Sequence, residues 1–178
     1  VDSVKFAGGS FTLMPRESLV EIIDLCHANE TMVSTGGFAE YVLTKGREAF
    51  EQYCQECKQV GFDIIELSAG FISISTDDWL RLVETVQSYD LKPKPEVGIQ
   101  FGAGVTSEEE LEAAGTLDVG WAVDQAKAFV DAGASMIMIE SEGITENVKS
   151  WRTDVPAEFA DEVGLEHLMF EAADPEVF

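Results

Sequence analysis

Basic residues are scarce in this chain of 178 residues, which has 11 Lys and Arg against 34 Asp and Glu and a formal net charge of −23. A surface of this charge repels the phosphates of nucleic acids and the headgroups of anionic lipids. We therefore expect neither a nucleic acid nor a membrane among its partners. A small anionic substrate would have to be bound through a cation or a local basic group.

Long hydrophobic runs are also missing. No apolar stretch approaches the ~20 residues that a membrane helix needs, and no basic segment followed by an apolar one stands at the N-terminus. We therefore expect a soluble, cytoplasmic protein. The hydrophobic content of 46% is sufficient for an ordinary core, and we expect one barrel domain over residues 1–178.

Cysteine and histidine are rare as well, with three Cys and two His. Cys54 and Cys57 have the C-x-x-C spacing of redox and zinc sites, but no second pair accompanies them and both His are distant in sequence. The two cysteines belong to a stripe of helical period formed by Phe50, Tyr53, Cys54, Cys57 and Val60. We therefore expect both thiols to pack inward as free cysteines of a reducing compartment.

The chain does contain a regular alternation of short segments with the period of a β-strand and longer segments with the period of an α-helix. Short β-type runs at 3–7, 32–35, 63–67, 94–98, 136–140 and 167–172 alternate with helical segments at 15–29, 47–60, 76–90, 119–132 and 154–163. Strict alternation predicts an α/β fold with a parallel sheet, which is a (β/α)8 TIM barrel or an open doubly wound sheet. The dinucleotide fingerprint is absent after the first strand, which favours the barrel. Because six strands cannot close a (β/α)8 barrel, we expect an incomplete barrel of six parallel strands and five helices.

Four of the six predicted strands end in glutamate: Glu66, Glu96, Glu140 and Glu171. In a parallel α/β fold these strand ends converge on one rim, where active sites lie. Carboxylates within ~5 Å of one another repel by several kcal/mol unless a divalent cation, a proton or Lys5 compensates them. Oxygen ligands without nearby His or Cys favour Mg²⁺. Alternatively, some of these acids accept backbone hydrogen bonds or pair with Lys or Arg.

Small residues lie at or just after the ends of the first two predicted strands, and we consider them candidates for substrate binding. They are Gly8, Gly9, Ser34, Gly36 and Gly37. Backbone N–H groups at glycine pairs can approach an oxyanion, although tight turns alone explain the glycines equally well. Arg152 is a further candidate, because a guanidinium binds an anion through two hydrogen bonds. An ion pair between Arg152 and one of the many acids is the alternative.

Six motifs, in chain order, resemble the phosphosulfolactate synthase family: "VKFAGGS", "VSTGGF", "CKQVGFDIIELSAG", "KPKPEVG", "DAGASMIMIESEG" and "LMFEAADP". The likeness covers nearly the whole chain and is greatest to the eukaryotic branch, which includes plant heat-stress-associated relatives. It implies a (β/α)8 barrel lyase that adds sulfite to phosphoenolpyruvate with Mg²⁺, on the route to coenzyme M. It also implies that the first βα unit and the last βα segment of the barrel are absent from residues 1–178. A homo-oligomer is implied for the full-length protein.

The family pattern also implies roles for individual residues. The pattern covers Lys5, Glu66, Glu96 and Glu140. Together with Glu171, which its strand-end position adds, the glutamates are the candidate metal ligands. Lys5 is the candidate acid that protonates carbon, so that Lys5 and Glu140 are the catalytic candidates. The chain departs from the pattern after "EVG" and in "IESEGITE", where basic residues of the archaeal enzymes are replaced. The alternative function is therefore a catalytically silent barrel that acts as a stress-related or interaction protein.

Overall fold

A computed structural model describes residues 1–70, 72–99, 119–172 and 175–177 of the chain. The chain divides into two units, Val1–Lys94 and Pro95–Phe178, and short strands alternate with helices through both. The strands are β1 (Ser3–Lys5), β2 (Met32–Ser34), β3 (Ile64–Leu67), β4 (Lys92–Val97), β5 (Ile137–Ile139) and β6 (Leu168–Phe170). The α-helices are α1 (Arg16–His27), α2 (Ala39–Leu43), α3 (Arg47–Val60), α4 (Thr76–Ser88), α5 (Gly120–Asp131) and α6 (Asp154–Val163). Short 3-10 helices lie at Ser10–Leu13, Leu165–His167 and Pro175–Val177.

In the first unit, β1, β2 and β3 pair in parallel and in chain order. Lys5 is opposite Ser34, and Ser34 is opposite Ile64. β4 begins in the same unit, where the N–H of Lys92 donates to the carbonyl of Asp63 at 2.9 Å. β3 is buried throughout and β2 is buried at Val33 and Ser34, whereas Val4 of β1 is exposed.

The predicted apolar stripe of α3 faces the core of the first unit. Phe50, Tyr53, Cys54 and Cys57 are all buried, and Gly61 ends the helix in the left-handed conformation at φ +112°. Burial raises the pKa of both thiols to about 12, so neither ionises near neutral pH. The prediction that both cysteines pack inward as free thiols is confirmed.

β4 begins at Lys92, two residues before its predicted start, and contains Pro93 and Pro95. Proline has no backbone N–H and is usually kept out of strands that are paired on both sides. Successive residues of a strand point their N–H groups in opposite directions. The nitrogen of Pro93 therefore lies on the other side of the strand from the N–H of Lys92, which donates to Asp63.

The helix α2 was not predicted. It precedes α3 in the connection from β2 to β3, so the predicted strict alternation with five helices is wrong at this point: six α-helices are found among the described residues. Ala39 and Val42 are its buried residues, and Gly46, at φ +97°, separates it from α3. A helix of five residues is too short to show a period of 3.6 in the sequence.

In the second unit, β4, β5 and β6 pair in parallel and in chain order. Val97 is opposite Ile139, and Ile139 is opposite Phe170. Helix α5 packs on β5 and α6 packs on β6, with Phe129 and Phe159 fully buried. Bulky apolar side chains on one face of each helix thus hold the helices against the strands.

Six parallel strands in chain order, separated by helices, are the repeating pattern of a (β/α)8 barrel. The predicted α/β class and the incomplete barrel of six parallel strands are therefore confirmed. Within the described ranges, none of the helices has the length and apolar character needed to cross a membrane.

Candidate functional site

Three glutamates of the second unit form one cluster where its strands end. Carboxylate oxygens of Glu96, Glu140 and Glu171 lie within 4.8 Å of one another, and all three residues are half-buried. Glu96 is the penultimate residue of β4, whereas Glu140 and Glu171 directly follow β5 and β6. The structure thus brings three of the four predicted strand-end acids together.

The parallel register explains why Glu140 and Glu171 meet. Ile139 is opposite Phe170, so the next residues, Glu140 and Glu171, occupy equivalent positions on neighbouring strands. Their N–H groups donate to the carbonyls of Val97 and Ile139 at 3.0 and 2.9 Å, which continues the ladder past the strand ends. A backbone fixed in this way holds the two carboxylates side by side.

The pair formed by Glu140 and Glu171 favours one retained proton. Burial, a hydrogen bond between the two side chains and repulsion from Glu171 raise the pKa of Glu140 to about 7. The N–H of Ser141 donates to Glu140 Oε1 at 3.0 Å and acts in the opposite direction. A divalent cation would compete with this proton for the same oxygens.

The raised pKa of Glu140 leads to an expected pH dependence of stability. Because the folded-state pKa exceeds the ordinary value of 4.5, the proton on Glu140 stabilises the fold fully below that value. This stabilisation is lost as the pH rises through about 7. In metal-free buffer, we expect the Tm of the wild type relative to that of Glu140→Gln to fall between about pH 5 and about pH 8. Thermal unfolding followed by circular dichroism at fixed ionic strength measures this difference, and a difference that does not vary with pH would contradict the shared proton.

The loop after β5 arranges further acids near the cluster. Ser141 is buried, and its hydroxyl donates to Glu146. Glu142 accepts a hydrogen bond from Asn147 Nδ2 at 2.7 Å. Glu142 therefore takes part in the hydrogen bonds of the loop, and the group of three carboxylates found among the described residues does not include it.

Arg152 lies in the second unit and pairs with Asp154. Its Nε donates to the two Asp154 oxygens at 2.9 and 3.1 Å, and Nη2 donates to Oδ2 at 2.6 Å. This is the ion pair that the sequence left open as the alternative. A role of Arg152 in substrate binding stays a prediction.

In the first unit, Glu66 lies between two lysines. Glu66 Oε2 is 3.4 Å from Lys5 Nζ and 3.2 Å from Lys94 Nζ. The side chains of Glu66 and Lys94 are 2% and 3% exposed, whereas that of Lys5 is 35% exposed. The N–H of Glu66 donates to Thr35 Oγ1 at 3.1 Å. Lys5 and Lys94 therefore compensate the charge of Glu66 in this structure, and the role of Glu66 as a metal ligand stays a prediction.

The glycines after β1 and β2 have packing reasons of their own. A Cβ atom on Gly36 would lie 2.3 Å from the carbonyl oxygen of Phe6 and 2.5 Å from the nitrogen of Gly8, and both are backbone atoms that cannot move aside easily. Gly8 has a φ of +50°, and a Cβ on Gly9 would collide with the ring of Phe38. Close contacts therefore explain Gly9 and Gly36 without a ligand, and the left-handed backbone conformation explains Gly8.

Contacts within the protein also account for Ser34 and Gly37. The hydroxyl of Ser34 is buried and donates to the carbonyl of Thr35 at 2.8 Å. A Cβ on Gly37 would lie 2.8 Å from Ser68 Oγ and 3.7 Å from Glu66 Oε1, so the absence of a side chain leaves space beside this carboxylate. Substrate binding by Ser34 and by the four glycines stays a prediction.

Lys94 was missed by the sequence analysis. It precedes Glu96 by two residues, so both side chains point to the same face of β4. The available signal was a lysine inside a strand where Pro93, Pro95 and Val97 are apolar. Such a lysine requires an acidic partner if it is buried, and Glu66 is that partner.

Comparison of the sequence with known proteins assigns the chain to a family. The family model described as ComA, (2R)-phospho-3-sulfolactate synthase, matches residues 1–178. The chain belongs to this family. The resemblance seen in the six sequence motifs is confirmed.

Two curated relatives match almost the whole chain. Protein HEAT-STRESS-ASSOCIATED 32 of Arabidopsis thaliana is 33% identical over 98% of this chain. Phosphosulfolactate synthase of Methanothermobacter thermautotrophicus is 25% identical over 97% of it. The chain spans 65% of the length of each relative. A crystal structure of a candidate lyase/mutase from Burkholderia cenocepacia matches with a TM-score of 0.54 and 15% identity, covers 92% of this chain and 58% of that one, and supports the fold alone.

The carboxylate cluster of this phosphosulfolactate synthase family member fits a divalent cation. Glu96, Glu140 and Glu171 offer oxygen ligands whose atoms lie within 4.8 Å of one another. Hard cations such as Mg²⁺ and Mn²⁺ prefer carboxylate oxygens. A cation would also relieve the repulsion that raises the pKa of Glu140.

Proposed function

We propose that this chain has a phosphosulfolactate synthase-like activity, the Mg²⁺-dependent addition of sulfite to phosphoenolpyruvate or a related reaction on a small anionic substrate. The observation that supports this proposal is the cluster of Glu96, Glu140 and Glu171 at the strand ends of a chain of this family. The carboxyl ends of barrel strands are where barrel enzymes carry their active sites.

We propose Mg²⁺ as the cation and Glu96, Glu140 and Glu171 as its ligands. When bound, the ion would act as a Lewis acid that polarises the carboxylate of the substrate. The task of the three residues is to keep an oxygen each within reach of one ion, and Glu140 must release its proton to do so. Metal loading is therefore proposed to release a proton near neutral pH.

Lys5 is the proposed acid. Addition of sulfite across the double bond of phosphoenolpyruvate forms a carbon–sulfur bond and moves the π electrons towards the neighbouring carbon, which must take up a proton. The ammonium group of Lys5 is held 3.4 Å from Glu66 Oε2, and the side chain is 35% exposed, so a substrate can reach it. General acid catalysis by a positioned group of this kind contributes about 10²- to 10⁴-fold in rate.

The test is turnover by the full chain. Incubation with phosphoenolpyruvate, sulfite and Mg²⁺ is expected to yield phosphosulfolactate, identified by mass spectrometry, and chelation of the metal is expected to abolish the product. Sulfate is the matched control, because its sulfur has no lone pair with which to form the new bond. An inactive chain assayed beside an active archaeal relative would favour the alternative, a barrel without catalysis that acts through a binding partner.

A further inference from the structure

The connection from β5 to α6 begins with a compact turn built around Ser141, the residue that follows Glu140. The carbonyl of Ser141 accepts hydrogen bonds from the N–H groups of Ile144, Thr145 and Glu146 at 3.0, 3.0 and 3.2 Å. The Ser141 residue itself is only 2% exposed. The turn therefore fixes the backbone directly beside the carboxylate cluster.

This turn encloses one oxygen of Glu140. The N–H of Ser141 donates to Glu140 Oε1 at 3.0 Å, and the hydroxyl oxygen of Ser141 lies 3.4 Å from the same atom. A hydroxyl has one proton to donate. That of Ser141 goes to Glu146, which is the shorter of its two carboxylate contacts. Oε1 is thus flanked by the backbone and the hydroxyl of Ser141, and Oε2 is the oxygen of Glu140 that these contacts leave to a cation.

Glu146 keeps the Ser141 hydroxyl in this place. A buried hydroxyl needs a hydrogen-bond partner, and a charged acceptor gives the stronger bond. Glu146 supplies that acceptor from within the same turn. It does not belong to the group of three carboxylates found among the described residues. Glu146 therefore acts on Glu140 through Ser141.

The number of oxygens that a carboxylate gives to an ion distinguishes two hard cations. Ca²⁺ accepts carboxylates through one oxygen or two, in sites of flexible geometry, whereas Mg²⁺ is smaller and requires near-ideal octahedral geometry. A carboxylate that is held in one orientation and offers one oxygen therefore suits Mg²⁺ better. Hydrogen bonds to the ligating side chains commonly change metal affinity by about 10- to 100-fold.

We propose that Ser141 and Glu146 are positioning residues that hold Glu140 as a one-oxygen ligand, and that they thereby favour Mg²⁺ over Ca²⁺ at the cluster of Glu96, Glu140 and Glu171. This inference deepens the proposed function and rests on its cation site. It does not depend on which reaction the chain performs.

Loss of the contact between Ser141 and Glu146 is expected to change the selectivity between the two ions. Ser141→Ala is expected to lower the affinity for Mg²⁺ by about tenfold and that for Ca²⁺ much less, because Glu140 can then offer both oxygens to the larger ion. Glu146→Ala removes the same contact from its other end and is expected to have the same effect. In the double variant the two effects are not expected to add, because each single change already breaks the one contact.

Glu146→Gln is the conservative variant. Its amide oxygen can still accept the hydroxyl proton of Ser141, so the ratio of the two affinities is expected to stay that of the wild type. The lost charge is expected to weaken both ions alike. Ser150→Ala is the matched control, because it removes a hydroxyl from an exposed position of the same connection and is expected to leave both affinities unchanged.

The measurement is isothermal titration calorimetry of the full chain with Mg²⁺ and with Ca²⁺ in separate titrations, at one fixed pH and ionic strength. The Tm of each variant in metal-free buffer shows whether it is folded. Because Glu146 is only half-buried, Glu146→Ala tests the contact even if Ser141→Ala does not fold.

A purely structural role of the turn would lower both affinities by the same factor and leave their ratio unchanged in every variant. That result would overturn the inference and leave the cation site standing. A loss of Mg²⁺ affinity in Glu146→Gln as large as that in Glu140→Gln would make Glu146 itself a ligand, which also contradicts the inference. Binding of neither ion by the wild type would overturn the cation site of the proposed function together with this inference.

Discussion

Replacing Lys5 by methionine is expected to lower the turnover of phosphoenolpyruvate and sulfite by about 10²- to 10⁴-fold, the range in which a positioned general acid contributes. Methionine keeps most of the length of the side chain but can neither donate a proton nor carry a charge. Glu66 would then retain Lys94 at 3.2 Å as its partner, so the buried carboxylate stays compensated and the fold is expected to persist. Initial rates at saturating substrate measure the effect.

Lys5→Arg separates the charge of Lys5 from its proton. Arginine keeps the positive charge but does not release its proton in proteins, so it is expected to keep the ion pair with Glu66 while losing turnover. Wild-type turnover in Lys5→Met would remove this residue from the role of acid. Turnover restored fully in Lys5→Arg would show that charge alone, and not proton transfer, is what the position supplies.

Much of the fold could be predicted from the sequence, because strands and helices of this chain have distinct periods. Each of the six strands found among the described residues overlaps its predicted run, and the strand-end acids Glu96, Glu140 and Glu171 meet as expected. Their meeting follows from a general property of parallel sheets, in which equivalent strand ends share one edge. Helix α2 was not predicted because a helix of five residues is too short to show the period of 3.6 residues in the sequence.

Partner choice among charged side chains was not predictable in the same way. The sequence left three means of compensating the acids open: a cation, a proton or a lysine. In the structure, Lys94 lies 3.2 Å from Glu66 and compensates its charge. Glu140 has Glu171 beside it, and its pKa is raised to about 7, which favours a proton. Such differences depend on distances of a few Å between strands, which no local pattern encodes. Arg152 is a similar case, since its contact with Asp154 is one of many that its charge allows.

Glu140→Gln is expected to weaken the binding of Mg²⁺ or Mn²⁺ by at least about tenfold, because affinity for hard cations depends on the number of charged oxygen ligands. Glutamine keeps the shape of the side chain and can still hydrogen-bond to Glu171, so the loss of affinity reports on charge and not on packing.

Glu142→Gln is the matched control. Glu142 lies two residues further on, carries the same charge and accepts its hydrogen bond from Asn147. Isothermal titration calorimetry at about pH 8, above the pKa of about 7, avoids competition by the proton. As the pH is lowered through 7, the wild-type affinity is expected to fall, because the ion must then displace that proton. Equal affinity of the wild type and Glu140→Gln, or an equal loss in Glu142→Gln, would contradict a cation site built from Glu96, Glu140 and Glu171.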